Sequence, residues 1–245
     1  MISFSPEQRF IVTGASSGIG EGIGLLLNEL GAEVIGIGRN MDRLLFVQEK
    51  AKYPEYMHIE QKDLTDNIEG LPLYIKSLKE KYGKFQGMAY CAGKAIRQPL
   101  KIWNVNEAKE YFDINYFAPI SILKGLCDKR ICNLGSSCVL ISSASALLSD
   151  RGHSIYAGSK AALSASIRSI AKEYASYGIR INCILPTVIK TPMTSSRVDY
   201  IKDQSVKYPL GIGEVSDVAN LVAFLLSEKA RWITAQNYII DCGSF

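Results

Sequence analysis

The sequence is dominated by a regular alternation between short apolar runs and longer amphipathic stretches. Runs such as RFIVTG, AEVIGIG and IRINCILP are almost continuously apolar, as expected of strands that are buried on both faces. The stretches between them have the apolar spacing of helices that cover a sheet. Because strict strand–helix alternation produces parallel strands with helices on both faces, the sequence predicts a doubly wound α/β fold in one domain, residues 1–245. Ligands of such sheets bind at the carboxyl ends of the strands, near the point where the strand order reverses.

Charge and apolar run length exclude several classes of partner. The 245 residues carry a net charge of +4, and no block of Lys or Arg is longer than two residues. We therefore expect no binding to nucleic acid or to an acidic membrane surface. No apolar run approaches the ~20 residues that a membrane-spanning helix requires. The first residues, MISFSPEQRFIVTG, lead directly into a predicted strand and lack the pattern of a signal peptide.

The six cysteines are scattered along the chain without a CxxC pair, and there are only two histidines. This is not the pattern of a zinc site, so we expect no metal. Most of the cysteines lie in apolar, strand-like runs, which is typical of reduced and buried thiols. We therefore expect a cytoplasmic protein.

A glycine-rich segment, TGASSGIG, joins the first predicted strand to the first predicted helix. Gly14 allows a tight turn, and Gly18 lets the backbone approach a pyrophosphate that then meets the helix N-terminus. Gly20 completes the G-x3-G-x-G spacing, and the hydroxyls of Ser16 and Ser17 can add hydrogen bonds. A generic glycine-rich turn is the alternative interpretation. The strand before and the helix after favour a dinucleotide site.

A second feature is the pair Tyr156 and Lys160 in the segment SIYAGSKAAL. The two residues are one helical turn apart, so a helix would place the phenol and the ammonium group on one face. The ordinary alternative is an exposed helix face, because such pairs are common neighbours on helices. The pair alone does not indicate catalysis.

TGASSGIG followed by Tyr156 and Lys160 resembles the short-chain dehydrogenase/reductase family, and the resemblance extends along nearly the whole chain. The segments KDLTD, YCAG, LISSAS, YAGSK and LPTVIKTPM occur in the order and approximate spacing of that family. The likeness is closest to its 3-oxoacyl-carrier-protein reductases and bacterial polyol or sugar dehydrogenases. The resemblance implies a Rossmann-type parallel sheet of about seven strands. It also implies an oxidoreductase that transfers hydride between a nicotinamide and a carbonyl or alcohol substrate.

The resemblance implies that Tyr156 is the general acid and base of this reaction. A positive charge ~4 Å from the phenol at an effective dielectric constant of ~20 would lower the ordinary tyrosine pKa of ~10 by about three units. Lys160 would supply this charge and hold the nicotinamide ribose. Ser143, thirteen residues before Tyr156, would stabilise the substrate oxygen. Asn115 would help to hold a water for proton relay, and a buried structural Asn is the alternative.

The same resemblance implies further contacts with the dinucleotide. Asp63 would meet the adenine amino group, although an ordinary helix N-terminal acid is the alternative. Gly38 stands where an NAD-dependent relative carries an acid, and the following Arg39 can pair with a 2′-phosphate or be merely solvated. We therefore expect NADP(H) to be preferred over NAD(H). The predicted cofactor-binding residues are Gly14, Ser16, Ser17, Gly18, Ile19, Gly20, Arg39, Asp63, Leu64, Cys91, Ala92, Gly93, Tyr156, Lys160, Ile189 and Thr191.

Some positions depart from the family pattern and leave the substrate open. Cys91 replaces an asparagine, and Thr187 replaces a glycine that can adopt positive φ. His153, three residues before Tyr156, could reach the mouth of the cleft, but we interpret it as an exposed loop histidine. Lys190 could meet an acidic group of the substrate, but we interpret it as a solvated lysine. A 3-oxoacyl thioester, a sugar or polyol, and a cyclic ketone all remain possible small-molecule substrates.

Two further expectations concern a lid and the assembly. Residues 191–209 would form a mobile lid over the substrate. The small-residue run AGSKAALSAS can pack against a partner helix, and family members commonly form homodimers or homotetramers through this helix and the one before it. The alternative function is a catalytically silent dinucleotide-binding sensor or interaction module. The presence of Ser143, Tyr156 and Lys160 together argues against it.

Overall fold

The described strands form one parallel sheet in the order β3-β2-β1-β4-β5-β6-β7. The structure is a computed structural model that describes residues 1–195 and 208–244. This sheet confirms the predicted doubly wound fold and the expected number of strands. The strands are β1 (Arg9–Thr13), β2 (Glu33–Gly38), β3 (Met57–Gln61), β4 (Phe85–Tyr90), β5 (Cys132–Ile141), β6 (Arg180–Pro186) and β7 (Asn237–Ile240).

Helices cover both faces of the sheet and create two hydrophobic cores. One core joins the sheet to α1, α2 and α8, and the other joins it to α3, α5 and α6. The strands supply side chains to both cores, which explains their continuous apolar runs. The helices are α1 (Gly18–Glu29), α2 (Met41–Lys50), α3 (Leu71–Tyr82), α4 (Val105–Phe112), α5 (Ala118–Leu126), α6 (Ser154–Ala175), α7 (Pro192–Ser195) and α8 (Val215–Leu226).

The helical region between β4 and β5 is interrupted by a π-helical turn at Asp113–Phe117. In an α-helix the N–H of residue 119 would donate to the carbonyl of Asn115, but Pro119 has no N–H. The hydrogen bonding shifts by one residue, so that the Ala118 N–H donates to the Asp113 carbonyl. The turn lies at Asn115, one of the predicted site residues.

A buried arginine connects the start of β6 to the end of α8. The guanidinium of Arg180 donates to the carbonyl of Leu225 at 2.7 Å and to the carbonyl of Ser227 at 3.1 Å. These carbonyls lie at the helix C-terminus, where they lack intrahelical donors. A cation is also favourable there because of the helix dipole. Arg180 is only 6% exposed, so water cannot replace these hydrogen bonds.

We expect Arg180→Met to lower the free energy of unfolding by about 2–3 kcal/mol, because it removes charge-assisted hydrogen bonds to two buried carbonyls. Among the described residues, the Leu225 carbonyl would keep only the hydroxyl of Ser137 as a donor, and the Ser227 carbonyl only the Ala230 N–H. Urea unfolding followed by circular dichroism measures this change.

Arg231→Met, which replaces an exposed arginine nearby in sequence to the same helix end, is the matched control and should stay close to wild type. Equal stabilities of the two variants would contradict a capping role for Arg180.

Candidate functional site

The strand order reverses between β1 and β4, and their carboxyl ends open a crevice at the edge of the sheet. The glycine-rich loop follows β1, and the segment Cys91–Gly93 follows β4. The hydroxyl of Thr13 holds the two together, since it accepts from the N–H of Cys91 at 3.1 Å and from that of Ala92 at 3.2 Å. The reversal therefore brings two segments that are distant in sequence to one site.

The glycine-rich loop before α1 has glycines at positions where a side chain would not fit. Gly14 has φ +66°, and a Cβ built on it would lie 2.9 Å from the backbone nitrogen of Ala92. A Cβ on Gly20 would overlap the carbonyl of Gly14. Ser17 is the N-cap of α1 but makes no side-chain cap hydrogen bond. Backbone N–H groups at this helix N-terminus are thus accessible to an anion such as a pyrophosphate, and a dinucleotide fits the loop.

Two adjoining clefts lie at this edge of the sheet. We call them the glycine-loop cleft, of about 310 Å³, and the tyrosine cleft, of about 460 Å³. Of the predicted residues, the glycine-loop cleft is lined by Gly14, Ser16, Ser17, Gly18, Gly20, Arg39, Asp63, Leu64 and Ala92. The tyrosine cleft is lined by Ser143, Tyr156, Lys160 and Ile189. Both clefts are lined by Ile19, Cys91, Gly93 and Thr191.

Lys160 brings a buried ammonium group to the tyrosine cleft. It is 5% exposed, and its Nζ donates to the carbonyl of Ile141 at 2.8 Å. Burial lowers the pKa of Lys160 to about 8, against the opposing influence of Cys183 and Cys91. At neutral pH the group is still largely protonated. Tyr156 lies one turn earlier on α6, so the positive charge is on the same helix face as the phenol.

Ser143 lies just beyond β5, where the strand ends at the cleft. Its side chain is 8% exposed, and its Oγ accepts from the Ser145 N–H at 3.1 Å. This hydrogen bond uses a lone pair and orients the hydroxyl, so the O–H can donate to an oxygen in the cleft. Such a donor is suited to stabilising negative charge on a substrate oxygen.

Asn115 does not line either cleft but is completely buried behind them. Its Oδ1 accepts from the Lys94 N–H at 3.1 Å, and its Nδ2 donates to the Lys94 carbonyl at 3.0 Å and to Ser159 Oγ at 3.0 Å. Ser159 Oγ in turn donates to the carbonyl of Tyr156. The Asn115 side chain therefore ties the loop after β4 to the first turns of α6. Its predicted role in holding a water stays a prediction.

Asp63 and Arg39 interact with each other at the end of the glycine-loop cleft. The distance from Arg39 Nη1 to Asp63 Oδ2 is 3.7 Å, while Asp63 Oδ1 accepts from the N–H and the hydroxyl of Thr65. Burial opposes ionisation of Asp63, but the Thr65 hydrogen bonds and Arg39 outweigh it, so the pKa of this carboxyl lies below its ordinary value. The contact with adenine predicted for Asp63 stays a prediction, alongside this turn-stabilising role.

Several cleft residues were not predicted from the sequence. Arg43 and Lys62 line the glycine-loop cleft, and Asp150 lines the tyrosine cleft. The interpretation of His153 as an exposed loop histidine is wrong. It is partly buried, lines the tyrosine cleft and stacks edge-on against Tyr156 with ring centroids 6.2 Å apart. Its position one helical turn before Tyr156 was the signal in the sequence.

Residues 196–207 of the predicted lid at 191–209 lie outside the described residues. The described parts at either side contribute Thr191, Met193, Thr194 and Tyr208 to the wall of the tyrosine cleft. Lys190 is exposed, as interpreted from the sequence, and forms an ion pair with Glu214 at 2.6 Å. The lid itself stays a prediction.

The fold and the two clefts define a dinucleotide-binding enzyme. A family model described as enoyl-(acyl carrier protein) reductase matches residues 14–244. The chain belongs to the short-chain dehydrogenase/reductase family, which confirms the resemblance seen in the sequence. It is an oxidoreductase that acts on CH–OH or C=O groups, and its family uses NAD(P).

Curated relatives align over almost the whole chain. L-xylulose reductase of Caenorhabditis elegans is 31% identical and covers 97% of this chain and 95% of that protein. The 3-oxoacyl-[acyl-carrier-protein] reductase FabG of Rickettsia conorii is 32% identical, with 95% of each chain covered.

Solved structures have the same architecture. A short-chain type dehydrogenase/reductase from Mycobacterium ulcerans superposes with a TM-score of 0.91 at 28% identity, covering 99% of this chain and 91% of that chain. The ligand-free aldohexose dehydrogenase of Thermoplasma acidophilum gives a TM-score of 0.86 at 27% identity, covering 97% and 93%. Among the described helices, none is long and apolar enough to span a bilayer.

The burial of Lys160 makes stability depend on pH. Its pKa is about 8 in the folded protein against 10.5 for an ordinary lysine, so between these values the unfolded chain binds a proton that the folded chain has lost. Lys160 should therefore contribute up to about 1.4 kcal/mol of stability per pH unit as pH rises through this window, against the opposite contribution of buried cysteines whose pKa values are raised. Lys160→Met should lack this contribution.

Urea unfolding of both proteins between about pH 8 and about pH 10 measures the effect. The free energy of unfolding of wild type minus that of Lys160→Met should increase as the pH rises. Lys172→Met, an exposed lysine on the same helix, is the matched control and should follow wild type. A difference between wild type and Lys160→Met that stays constant over this range would contradict a depressed lysine pKa.

Proposed function

We propose that the protein transfers hydride reversibly between NADP(H) and a small-molecule carbonyl or alcohol substrate, with Tyr156 as acid and base. The observation that carries this proposal is the position of Lys160. Its buried ammonium group lies one helical turn from Tyr156, in a cleft that adjoins the glycine-loop cleft.

Each side chain has a separate role in the proposed reaction. The bound nicotinamide supplies or accepts the hydride. In the reductive direction Tyr156 donates its proton to the substrate oxygen, and in the oxidative direction its phenolate accepts that proton. Lys160 stabilises the phenolate and so brings the phenol closer to the pH at which it can exchange protons. Ser143 donates its O–H to the same substrate oxygen and stabilises the negative charge that develops there.

The preference for NADP(H) over NAD(H) is part of the proposal. The end of β2 has Gly38 where an acid would hydrogen-bond the ribose 2′-hydroxyl of NAD. Arg39 follows and lines the glycine-loop cleft, where a guanidinium can pair with a 2′-phosphate.

The relatives and the cleft suggest two substrate classes. L-xylulose reductase and aldohexose dehydrogenase act on sugars by their names, whereas FabG is a 3-oxoacyl-[acyl-carrier-protein] reductase. Polar side chains of Ser145, Asp150 and His153 line the tyrosine cleft and suit the hydroxyl groups of a sugar or polyol. Leu148 and Met193 line the same cleft and suit the acyl chain of a 3-oxoacyl thioester. Both classes belong in the first substrate panel.

A cytoplasmic location also belongs to the proposal. All six cysteines are free thiols, and four of them are buried. A reducing compartment keeps such thiols unpaired.

We expect Tyr156→Phe to lower turnover by about 10²–10⁴-fold, because the variant keeps the ring but loses the proton that is transferred. The measurement is NADPH consumption with 3-oxoacyl thioesters, keto-sugars and simple ketones, with NADH in parallel. NADPH should support the faster reaction. Tyr82→Phe, which lies on α3 outside both clefts, is the matched control and should retain activity. Undiminished turnover in Tyr156→Phe would overturn the proposed mechanism. No turnover by wild type, despite tight dinucleotide binding, would favour the sensor function.

We propose a homodimer or homotetramer that forms through α6 and the helix before it. Gly158 and Ala165 are exposed on α6, and Phe117, between α4 and α5, is 48% exposed. Small residues permit close approach of a second helix, and the exposed aromatic ring supplies apolar area to bury.

Light scattering at micromolar concentration should give at least twice the mass of one chain. Phe117→Asp should shift the protein towards monomer, because it would bury an unpaired charge in the interface. Leu73→Asp, at an exposed apolar residue of α3, is the matched control and should keep the mass unchanged. A monomeric mass for wild type would contradict this assembly.

A further inference from the structure

Lys160 is held at two points by consecutive residues at the end of β5. Its Nζ donates to the carbonyl of Ile141 at 2.8 Å, and its own backbone carbonyl accepts from the hydroxyl of Ser142 at 2.9 Å. The head group and the backbone of one residue are thus bonded to neighbouring points on one strand. The next residue of the chain is Ser143, which lines the tyrosine cleft. We call the contacts of Ile141 and Ser142 with Lys160 the lysine clamp.

A second buried hydroxyl supports the clamp. The Oγ atoms of Ser142 and Ser164 are 2.8 Å apart, and Ser164 Oγ lies 3.0 Å from the Lys160 carbonyl. Each hydroxyl has one proton, and both protons are used when Ser164 donates to Ser142 and Ser142 donates to Lys160. The Ser142 N–H also donates to the Ile184 carbonyl of β6 at 2.8 Å. Because both serines are buried, water cannot replace these hydrogen bonds.

The chemistry of this contact is unusual for its place in the fold. An apolar side chain is the ordinary choice where a strand packs against a helix, since a buried hydroxyl costs free energy unless it is hydrogen-bonded. Ser137 makes a comparable contact on the other face of the sheet, where its buried hydroxyl donates to the Leu225 carbonyl of α8 at 2.8 Å. Ser137 lies outside both clefts, whereas Ser142 lines the tyrosine cleft. The two serines therefore offer a direct comparison.

We propose that Ser142 is a positioning residue, which holds the Lys160 backbone so that the ammonium group keeps its place relative to Tyr156. Without the Ser142 hydroxyl, only the side chain of Lys160 would hold it to β5, and its four-carbon stem is flexible. The field of the ammonium group at Tyr156 would then be weaker. Because Ser143 follows Ser142, the clamp also fixes the Ser143 hydroxyl relative to α6. The proposal rests on the proposed function, in which Lys160 assists Tyr156.

Other ionisable groups surround Lys160 and Tyr156. Burial raises the pKa values of Cys91, after β4, and Cys183, on β6, to about 12, so both thiols are uncharged at neutral pH. All of these groups stay the same in the variants of the test, so a change in pH dependence reports on the clamp. The remaining ionisable side chains that line the tyrosine cleft include Lys94, Asp150 and His153.

The first measurement is steady-state kinetics with the substrate that wild type turns over fastest. Ser142→Ala should lower kcat at least about ten-fold and leave KM within about two-fold, because a displaced ammonium group weakens the transition state more than it weakens substrate binding. In the oxidative direction the half-maximal rate should move to higher pH, since a weaker positive field makes the phenolate harder to form.

Two further variants separate the hydrogen bond from the space that the side chain fills. Ser142→Cys keeps a side chain of similar shape but is a weak donor, so it should lose activity as Ser142→Ala does. Ser164→Ala should have a smaller effect in the same direction, because it removes the support of Ser142 and leaves its hydroxyl in place. Full activity in Ser142→Cys would contradict the role of the hydrogen bond.

The matched control is Ser137→Ala, which removes the comparable buried hydroxyl from the same strand. Both alanine variants should lose similar stability in urea, whereas kcat and the pH profile should change in Ser142→Ala and stay as in wild type in Ser137→Ala. Unchanged kinetics in Ser142→Ala, or equal changes in both variants, would overturn the proposal, because the Ser142 hydroxyl would then support the fold without positioning Lys160.

A second measurement does not depend on catalysis. A loosened clamp would give water more access to the ammonium group, so the pKa of Lys160 would rise from about 8 towards its ordinary value of 10.5. Lys160 would then contribute less to the rise of stability with pH. The free energy of unfolding of wild type minus that of Ser142→Ala should therefore increase between about pH 8 and about pH 10. The corresponding difference for Ser137→Ala should stay constant.

This measurement separates the two proposals. If wild type turns over no substrate, the proposed function fails, and the pH dependence of stability decides the role of Ser142 by itself. A difference between wild type and Ser142→Ala that stays constant with pH would then overturn the lysine clamp as a positioning device.

Discussion

The pairing of β1 with β4 is the constraint on which the site depends. Thr13 and Tyr90 are paired neighbours at the carboxyl ends of these strands, so the chain leaves both strands at the same edge. The glycine-rich loop and the Cys91–Gly93 segment then face each other across the reversal of strand order. Both strands are buried on both faces. If their pairing shifted by one residue, the side chains of one strand that now face the first core would face the second core instead. The packing of the cores therefore also fixes the position of the site.

The second determinant is a buried cation that is not neutralised by a buried anion. Taking an ammonium group out of water is costly, and Lys160 has the Ile141 carbonyl as an acceptor in place of a carboxylate. The low dielectric that makes this arrangement costly also strengthens the field of the ammonium group within the cleft. An acid beside Lys160 would relieve the cost but would cancel that field. The arrangement therefore costs stability and places the field of an ammonium group on the face of α6 that carries Tyr156.

The sequence predicted the elements and the cleft-forming motifs because these depend on local patterns. Apolar runs identified the strands, and the glycine spacing identified the loop. The π-helical turn at Asn115 also has a local cause in Pro119, although the apolar pattern of a continuous helix concealed it. The places of Arg43 and Lys62 could not be predicted in this way, because they meet only through the parallel pairing of β2 with β3 and the direction of α2. The substrate is less predictable still, since the tyrosine cleft is lined by residues from several loops that have no shared sequence pattern.

The close packing around Gly38 has a consequence for how this protein could evolve. In a lineage with an open position at the end of β2, one mutation to aspartate could exchange one dinucleotide for the other. Here the new Cβ would lie 3.2 Å from Leu44 Cδ2 and 3.3 Å from Ser16, so these side chains would have to shift by a few tenths of an ångström to admit it. A smaller residue at position 16 or 44 would ease this step. The end of β2, where the dinucleotide is expected, is thus coupled through Leu44 to the packing of a hydrophobic core, so that a change of cofactor would also be a change in the core.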